Sequence, residues 1–305
     1  MNEPAQNASD IALGNWIDRY VPEAARAYFR LARLDRPIGT WLLLLPCWWG
    51  AALAASGWPD PYLIVLFAIG SIVMRAAGCT INDMADREFD ARVARTADRP
   101  IASGKVSMTA AAVFLAGLLA VGLYVLLQFN FFAVWVGIAA LPFVAAYPFM
   151  KRFTYWPQAW LGLTFNWGAL LGWASVTGDL GAPAALLYVA GFFWTLGYDT
   201  IYAHQDKEDD LIVGVKSSAL FLGGATRPWL FGFYAVTTLL LAAAGWAAGS
   251  AWPYYVGVAL GAGHLAWQAT GVDIDNARDC LRKFKSNRDF GLIVFAGIVA
   301  AGVIA

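Results

Sequence analysis

Residues 75–104 read "RAAGCTINDMADREFDARVARTADRPIASG". The stretch closes an apolar run, roughly 61–82, that is long enough to cross a bilayer. It then presents Asn82, Asp83, Asp86 and Asp90. A helix advances about 100° per residue, so the three carboxylates share one face within about 60°. Arg75 lies seven residues before Asn82, on nearly the same stripe and about two turns deeper. A charged residue inside a span needs a partner, and the Asn82/Asp86 face or a bound anion supplies one.

The rest of the chain fits a bilayer solvent. Of 305 residues, 60% are hydrophobic and 14% charged, with fifteen Trp. A soluble domain of this length needs far more polar surface. The formal net charge is +0, which by itself says nothing about partners; no nucleic-acid partner is expected. Cys47, Cys79 and Cys280 show neither metal spacing nor a disulfide framework, and His204 and His264 are too few for a histidine metal site. The polar, acidic start "MNEPAQNASDIALGNWIDRY" lacks the basic opening and apolar core of a secretory signal.

Hydropathy predicts an all-α, multi-pass transmembrane bundle of nine helices, at roughly 39–56, 61–82, 107–127, 130–148, 157–177, 182–203, 227–249, 252–271 and 289–304. The last is short for a span and reads as tilted or partly interfacial. All of the 21 Lys and Arg except Arg75 fall in the N-terminal tail or in the loops after the even-numbered segments. By the positive-inside rule the N-terminus and both acidic segments face the cytoplasm. Residues 1–38 form a cytoplasmic tail, and 39–305 the membrane domain. Residues 12–34 mix Trp16, Tyr20, Phe29 and Leu31 with arginines, as a membrane-surface helix does.

A second acidic segment, "YDTIYAHQDKEDD" at 198–210, follows the sixth segment. Asp199, Asp206 and Asp210 form a tight stripe if the helix continues. The two acidic segments lie four spans apart with the same polarity. This is the pattern of a parallel repeat with acidic faces opposed across a central cavity. One such Asp reads as a solvated loop acid. Six, in two stripes entering apolar spans, repel one another and resist desolvation. Mg²⁺ with oxygen ligands relieves both, leaving positions for phosphate oxygens. A diphosphate with an apolar tail, an isoprenyl diphosphate, suits such a site.

"NDMADREFD" (82–90) and "YDTIYAHQDKEDD" (198–210) resemble the two signatures of the UbiA superfamily of intramembrane prenyltransferases. Five further stretches resemble its bacterial 4-hydroxybenzoate polyprenyltransferase branch. They are "RLARLDRPIGTWLLLLPCWWG" (30–50), "DRPIASG" (98–104), "YPFMKRFTYWPQ" (147–158), "GLTFNWGALLGWA" (162–174) and "FKSNRDFG" (284–291). The resemblance implies Mg²⁺ held by Asn82, Asp86, Asp206 and Asp210, with Asp83, Asp90 and Asp199 completing or orienting the shell. Asp86, Asp90, Asp206, Asp210 and Arg152 are then the catalytic set.

The substrate-binding set is Arg75, Lys151, Arg152, Tyr155, Tyr198, Asp199 and Lys207. Lys151, Arg152 and Tyr155 read either as a membrane anchor or as a clamp on diphosphate or on an aromatic carboxylate, and the resemblance favours the clamp for Arg152. Lys207 and Lys216 keep both readings. Asn166 has two as well: a bond to a neighbouring helix, or contact with substrate. Trp48, Trp49, Trp160, Trp167, Trp173 and Trp194 read mainly as packing, with some left to line an isoprenoid tunnel.

The activity implied is Mg²⁺-dependent transfer of a polyprenyl group from polyprenyl diphosphate to the ring carbon ortho to the hydroxyl of 4-hydroxybenzoate, a step toward ubiquinone. The setting is a bacterial plasma (inner) membrane and its lipid. Two alternatives stand beside it. One is a prenyltransferase of the same family acting on homogentisate, a naphthoate, haem, a chlorophyllide or a glyceryl lipid. The other is a divalent-cation transporter, which predicts acids at the bilayer midplane.

Overall fold

Apolar runs bounded by Gly, Pro and Asn become helices, and the breaks fall where that chemistry falls. The computed structural model describes residues 11, 14–93, 96–207, 214 and 216–304. Among the described residues every regular element is a helix, and each of the nine predicted segments lies on helical backbone. Pro61 opens the Pro61–Ala85 helix, a position where its missing N–H costs nothing. The Asn130 side chain accepts from the Ala133 N–H at 2.9 Å and caps Phe131–Ala139. Gly178, at φ +73°, ends Trp167–Thr177 in the left-handed conformation that glycine adopts freely.

Six stretches are by themselves long and apolar enough to cross a membrane: Pro61–Ala85, Met108–Leu126, Phe131–Phe153, Ala182–Asp206, Ser218–Ala247 and Ala277–Ile304. The other three predicted segments differ for local reasons. Ile38–Ala54 has 17 residues. The 157–177 segment is split at Asn166 into Pro157–Phe165 and Trp167–Thr177. Trp252–Gly271 carries His264 and Gln268 within its 20 residues. The final segment is longer than expected, because Ala277–Lys285 leads into Asn287–Ile304 to make one run of 28 residues.

The chain forms two compact units. The first holds the residues up to Thr40 and Gly70–Val125. Within it the tail makes two short helices, Trp16–Tyr20 and Glu23–Leu31, parted at Val21 and Pro22. Leu31 packs with Ile101, Val106 and Ala111, flanked by Tyr28, Met84 and Phe114. The Met108–Leu126 helix is only 11% buried. Its exposed Val113, Leu123 and Tyr124 suit a lipid environment.

The second unit comprises Trp41–Ile69 and Leu126–Ala305. Ala182–Ala203 is its central helix, burying Trp194 and Tyr198. Trp49 meets Trp194 with ring centroids 5.1 Å apart and donates its indole N–H to the Gly291 carbonyl at 2.9 Å. Small residues let the Ile38–Ala54 backbone approach Trp167–Thr177. A methyl group on Gly172 would lie 2.1 Å from the Cys47 carbonyl oxygen, the close packing that membrane helices use in place of hydrophobic drive.

Candidate functional site

The first acidic segment lies wholly in the first unit. Pro61–Ala85 carries Asn82 and Asp83 at its end, and Arg87–Asp90 follows at once. The helical ladder crosses the junction: Asp86 N–H reaches the Asn82 carbonyl at 2.9 Å, and Asp90 N–H reaches that of Asp86 at 2.8 Å. Only Asp86 departs, at φ −100°, ψ 6°, in the bridge region common among active-site residues. The predicted stripe therefore survives and is turned inward. Asp83 and Asp86 are each 1% exposed and Asp90 7%.

Two arginines answer two of these carboxylates. Arg33 Nη2 donates to both oxygens of Asp83, at 2.7 and 2.9 Å. Arg99 Nη1 donates to both oxygens of Asp90, at 3.1 and 3.0 Å, and reaches Asp83 at 3.4 Å. Burial pushes the Asp90 carboxyl above its ordinary range, while Arg99 pulls it the other way. The Arg99 loop is tied back at several points. Thr96 Oγ1 donates to the Asp90 carbonyl at 2.9 Å, and Ser103 Oγ to the Arg99 carbonyl at 2.8 Å.

Arg33 also occupies an unusual backbone state. The Glu23–Leu31 helix closes with the Leu34 N–H on the Phe29 carbonyl and the Arg33 N–H on that of Arg30. This is a Schellman closure, whose left-handed position normally takes glycine. Here it is Arg33, at φ +57°, the one non-glycine with positive φ among the described residues. An L-residue there costs roughly 1–2 kcal/mol. Arg75, in the same unit, lies flat on the backbone of Gly39, where an added methyl would meet its Nε at 2.5 Å.

The second acidic segment lies in the second unit and is held differently. Ala182–Ala203 tightens into a 3-10 turn at His204–Asp206, so the helix does not continue unchanged through the predicted stripe. Asp199 and Asp206 are half-buried, and Tyr198 is buried. Asp210, with Glu208 and Asp209, lies outside the described residues. Several neutral hydrogen bonds tie this region. Thr226 Oγ1 donates to the Gly223 carbonyl at 2.8 Å, so His204 Nε2, 2.8 Å away, is the donor to Thr226. Thr200 and Ser218 pair at 2.7 Å. Asn166 Nδ2 donates to Thr195 Oγ1 at 2.7 Å, and that hydroxyl donates to Tyr198 at 3.1 Å. Asn166 thus bonds the neighbouring Ala182–Ala203 helix.

The basic candidates also have neighbours. Lys151 and Arg152 close the Leu141–Phe153 helix, where cations suit the dipole. The Lys151 carbonyl accepts from the Lys216 N–H at 3.1 Å. The Arg152 guanidinium is 5.7 Å from the Phe149 ring, and Lys216 Nζ 5.4 Å from that of Tyr155. Lys207 forms an ion pair with Asp275, which it holds below the usual carboxylate range. Of the six singled-out Trp, five donate their indole N–H to Ile64, Gly291, Phe143, Val136 or Asn287, as packing residues do.

Arg33 and Arg99 as partners of the acids, and Asp275 as the partner of Lys207, were not expected from the sequence. Arg99 lies in the 98–104 motif and Arg33 in the 30–50 stretch, but nothing in their spacing links them to Asp83. Among the described residues no three His, Cys, Asp or Glu side chains cluster as a ready-made metal site, in keeping with Asp83 and Asp90 facing arginines. The donors of each unit still suit Mg²⁺: Asn82 and Asp86 in the first, and Asp206 in the second, offer hard carboxamide or carboxylate oxygens at the ends of apolar helices.

The model of the UbiA prenyltransferase family matches residues 43–296. The 4-hydroxybenzoate polyprenyltransferase, mitochondrial, of Caenorhabditis elegans is 51% identical over 286 residues, 93% of this chain and 80% of that one. The Mus musculus protein of the same name is 53% identical over 281 residues, 91% and 75% of the two chains. Among solved structures, the apo UbiA homologue of Aeropyrum pernix K1 superposes with a TM-score of 0.72 at 24% identity, covering 86% of this chain and 97% of that one. An Archaeoglobus fulgidus homologue bound to GPP and Mg²⁺ gives 0.66 at 19%, covering 90% and 99%. At these identities the structures speak to the fold alone.

Proposed function

This chain belongs to the UbiA prenyltransferase family, and from that premise we infer that it is a 4-hydroxybenzoate polyprenyltransferase. The observation that carries this is 51–53% identity, over nine-tenths or more of the chain, to relatives of that name. It transfers a polyprenyl group from polyprenyl diphosphate to the ring carbon ortho to the hydroxyl of 4-hydroxybenzoate. The carbon–oxygen bond to diphosphate breaks, and its electron pair leaves with the diphosphate. The ring carbon forms the new carbon–carbon bond, and its proton departs to restore aromaticity.

Residue roles follow from chemistry. Asn82 and Asp86 of the first segment would offer ligands to Mg²⁺, as would Asp206 and Asp210 of the second, and Mg²⁺ so held would neutralise charge on the leaving diphosphate. Asp83 and Asp90 orient the first segment through Arg33 and Arg99, and Asp199 and Tyr198 support the second. Arg75, Lys151 and Lys207 bind the diphosphate, for which Lys207 must exchange Asp275. Arg152 receives the carboxylate of 4-hydroxybenzoate, with Tyr155 beside it, because a guanidinium matches a planar carboxylate with two parallel bonds.

The protein is a multi-pass membrane protein. Its named relatives are mitochondrial. The proposal for this chain is a bacterial plasma membrane, with the N-terminus and both acidic segments on the cytoplasmic side, resting on the distribution of Lys and Arg. Reporter fusions in successive loops test that orientation.

The reaction is tested with membranes carrying the protein, radiolabelled 4-hydroxybenzoate and a polyprenyl diphosphate, in Mg²⁺ or EDTA. Lipid-soluble label that needs Mg²⁺ is the expected result. No label across several donor lengths, with label appearing on homogentisate or a naphthoate, reassigns the acceptor. Arg152→Ala should raise KM for 4-hydroxybenzoate about 10–100-fold; unchanged kinetics for both substrates return Arg152 to a membrane anchor.

A further inference from the structure

Two facts about Arg33 belong together. It sits at the left-handed position of a Schellman closure, where glycine is the unstrained choice. The residue is 8% exposed, and its guanidinium grips both oxygens of Asp83. A strained residue persists where the surroundings need its side chain. The side chain here reaches 50 residues along the chain and ends one residue past Asn82 and three before Asp86. A two-oxygen grip from one nitrogen holds the carboxylate from turning, and through it the helix that bears it.

The neighbouring contacts point the same way. Arg33 Nη1 returns to the Arg30 carbonyl at 3.1 Å, so the guanidinium is itself fixed at its root. Arg30 in turn is paired with Asp18 at 2.5 Å. Arg99 takes Asp90 and, at 3.4 Å, the same Asp83 Oδ1 that Arg33 holds. The tail, the helix end and the 96–106 loop are thus joined at one carboxylate, all within the first unit.

We propose that Arg33 is a positioning residue: by holding Asp83 it sets the rotation of the Asn82–Asp90 segment, and so the affinity of Asn82 and Asp86 for a divalent cation. It touches neither cation nor substrate. The inference rests on the metal-binding role proposed above.

The test uses the full chain in detergent, with Mn²⁺ as probe, no prenyl donor present, and free Mn²⁺ read by electron paramagnetic resonance. Arg33→Gly relieves the backbone and removes the guanidinium. Arg33→Lys keeps the charge but not the planar guanidinium. Expected are a Mn²⁺ affinity about tenfold or more weaker in Arg33→Gly, and an intermediate loss in Arg33→Lys. Adding Asp83→Asn to Arg33→Gly should cost nothing further, because one acts through the other. KM for 4-hydroxybenzoate should stay within about twofold, since neither residue is assigned to the aromatic substrate.

Mn²⁺ affinity in Arg33→Gly equal to that of the unaltered chain overturns the proposal and leaves Arg33 as a helix stop. If tryptophan fluorescence shows that Arg33→Gly is unfolded, Arg33→Lys decides by the same criterion. An unaltered chain that transfers no label but loses Mn²⁺ affinity on substitution removes the reaction assigned above while upholding the clamp.

Discussion

The two acidic segments share a composition and differ in what holds them. In the first, Asp83 and Asp90 are gripped by Arg33 and Arg99, and the carboxylates are almost wholly buried. In the second, Asp199 and Asp206 are half-buried, and the region is tied both by bonds between neutral groups, His204 to Thr226, Thr200 to Ser218 and Asn166 to Thr195 to Tyr198, and by the exposed Lys207–Asp275 pair. A charged clamp is strong and fragile, because removing one partner strands the other in a dry site. Neutral bonds are weaker singly and fail gradually. One kind of chemistry is thus mounted on a rigid electrostatic support and on a more forgiving packed one.

The largest effects ignore this difference and strike the proposed ligands. Asp86→Ala or Asp206→Ala should lower label transfer about 1,000-fold while the protein still inserts in membranes, as shown by protease protection. A fully active Asp206→Ala removes that residue from the metal site. Next comes the clamp. Arg99→Ala strands Asp90 and part of Asp83, and should cost about 10–100-fold in Mg²⁺-dependent activity. If it costs no more than a change in the neutral network, the contrast between the segments is wrong. Asn166→Ala tests the other side. It should lower thermal stability by about 1–2 kcal/mol, followed by tryptophan fluorescence, with activity at low temperature largely kept. The smallest effect is expected from Asp275→Asn. Its ion pair with Lys207 is exposed, so activity should change by less than about twofold; a large fall would make Asp275 part of the site.

The same contrast explains what the amino-acid sequence disclosed. Hydropathy and the 3.6-residue period are local signals, so the helices, the carboxylate stripe at Asp83, Asp86 and Asp90, and the breaks at Pro61 and Gly178 were legible. The motif resemblance marked the acids and Arg152. The partners were not legible. Arg33 finds Asp83 and Lys207 finds Asp275 across about fifty to seventy residues, and an arginine in a tail otherwise reads as a membrane anchor. The break at Asn166 was hidden as well, since a lone Asn in an apolar run carries little propensity against helix. The 3-10 tightening at His204–Asp206, where His204 bonds Thr226, is announced by no local pattern.

Gly39 carries a consequence for genetics. It lies beneath Arg75, and even a methyl group there would meet the guanidinium nitrogen at 2.5 Å. The atoms it would meet are the far end of a flexible side chain, so alanine at 39 displaces the Arg75 guanidinium rather than the helix. In a library of every single substitution scored by growth on quinone-dependent respiration, position 39 should therefore track position 75: an allele there acts through a displaced arginine, and a Gly39→Ala chain that grows like the unaltered one would free Arg75 of the role proposed for it.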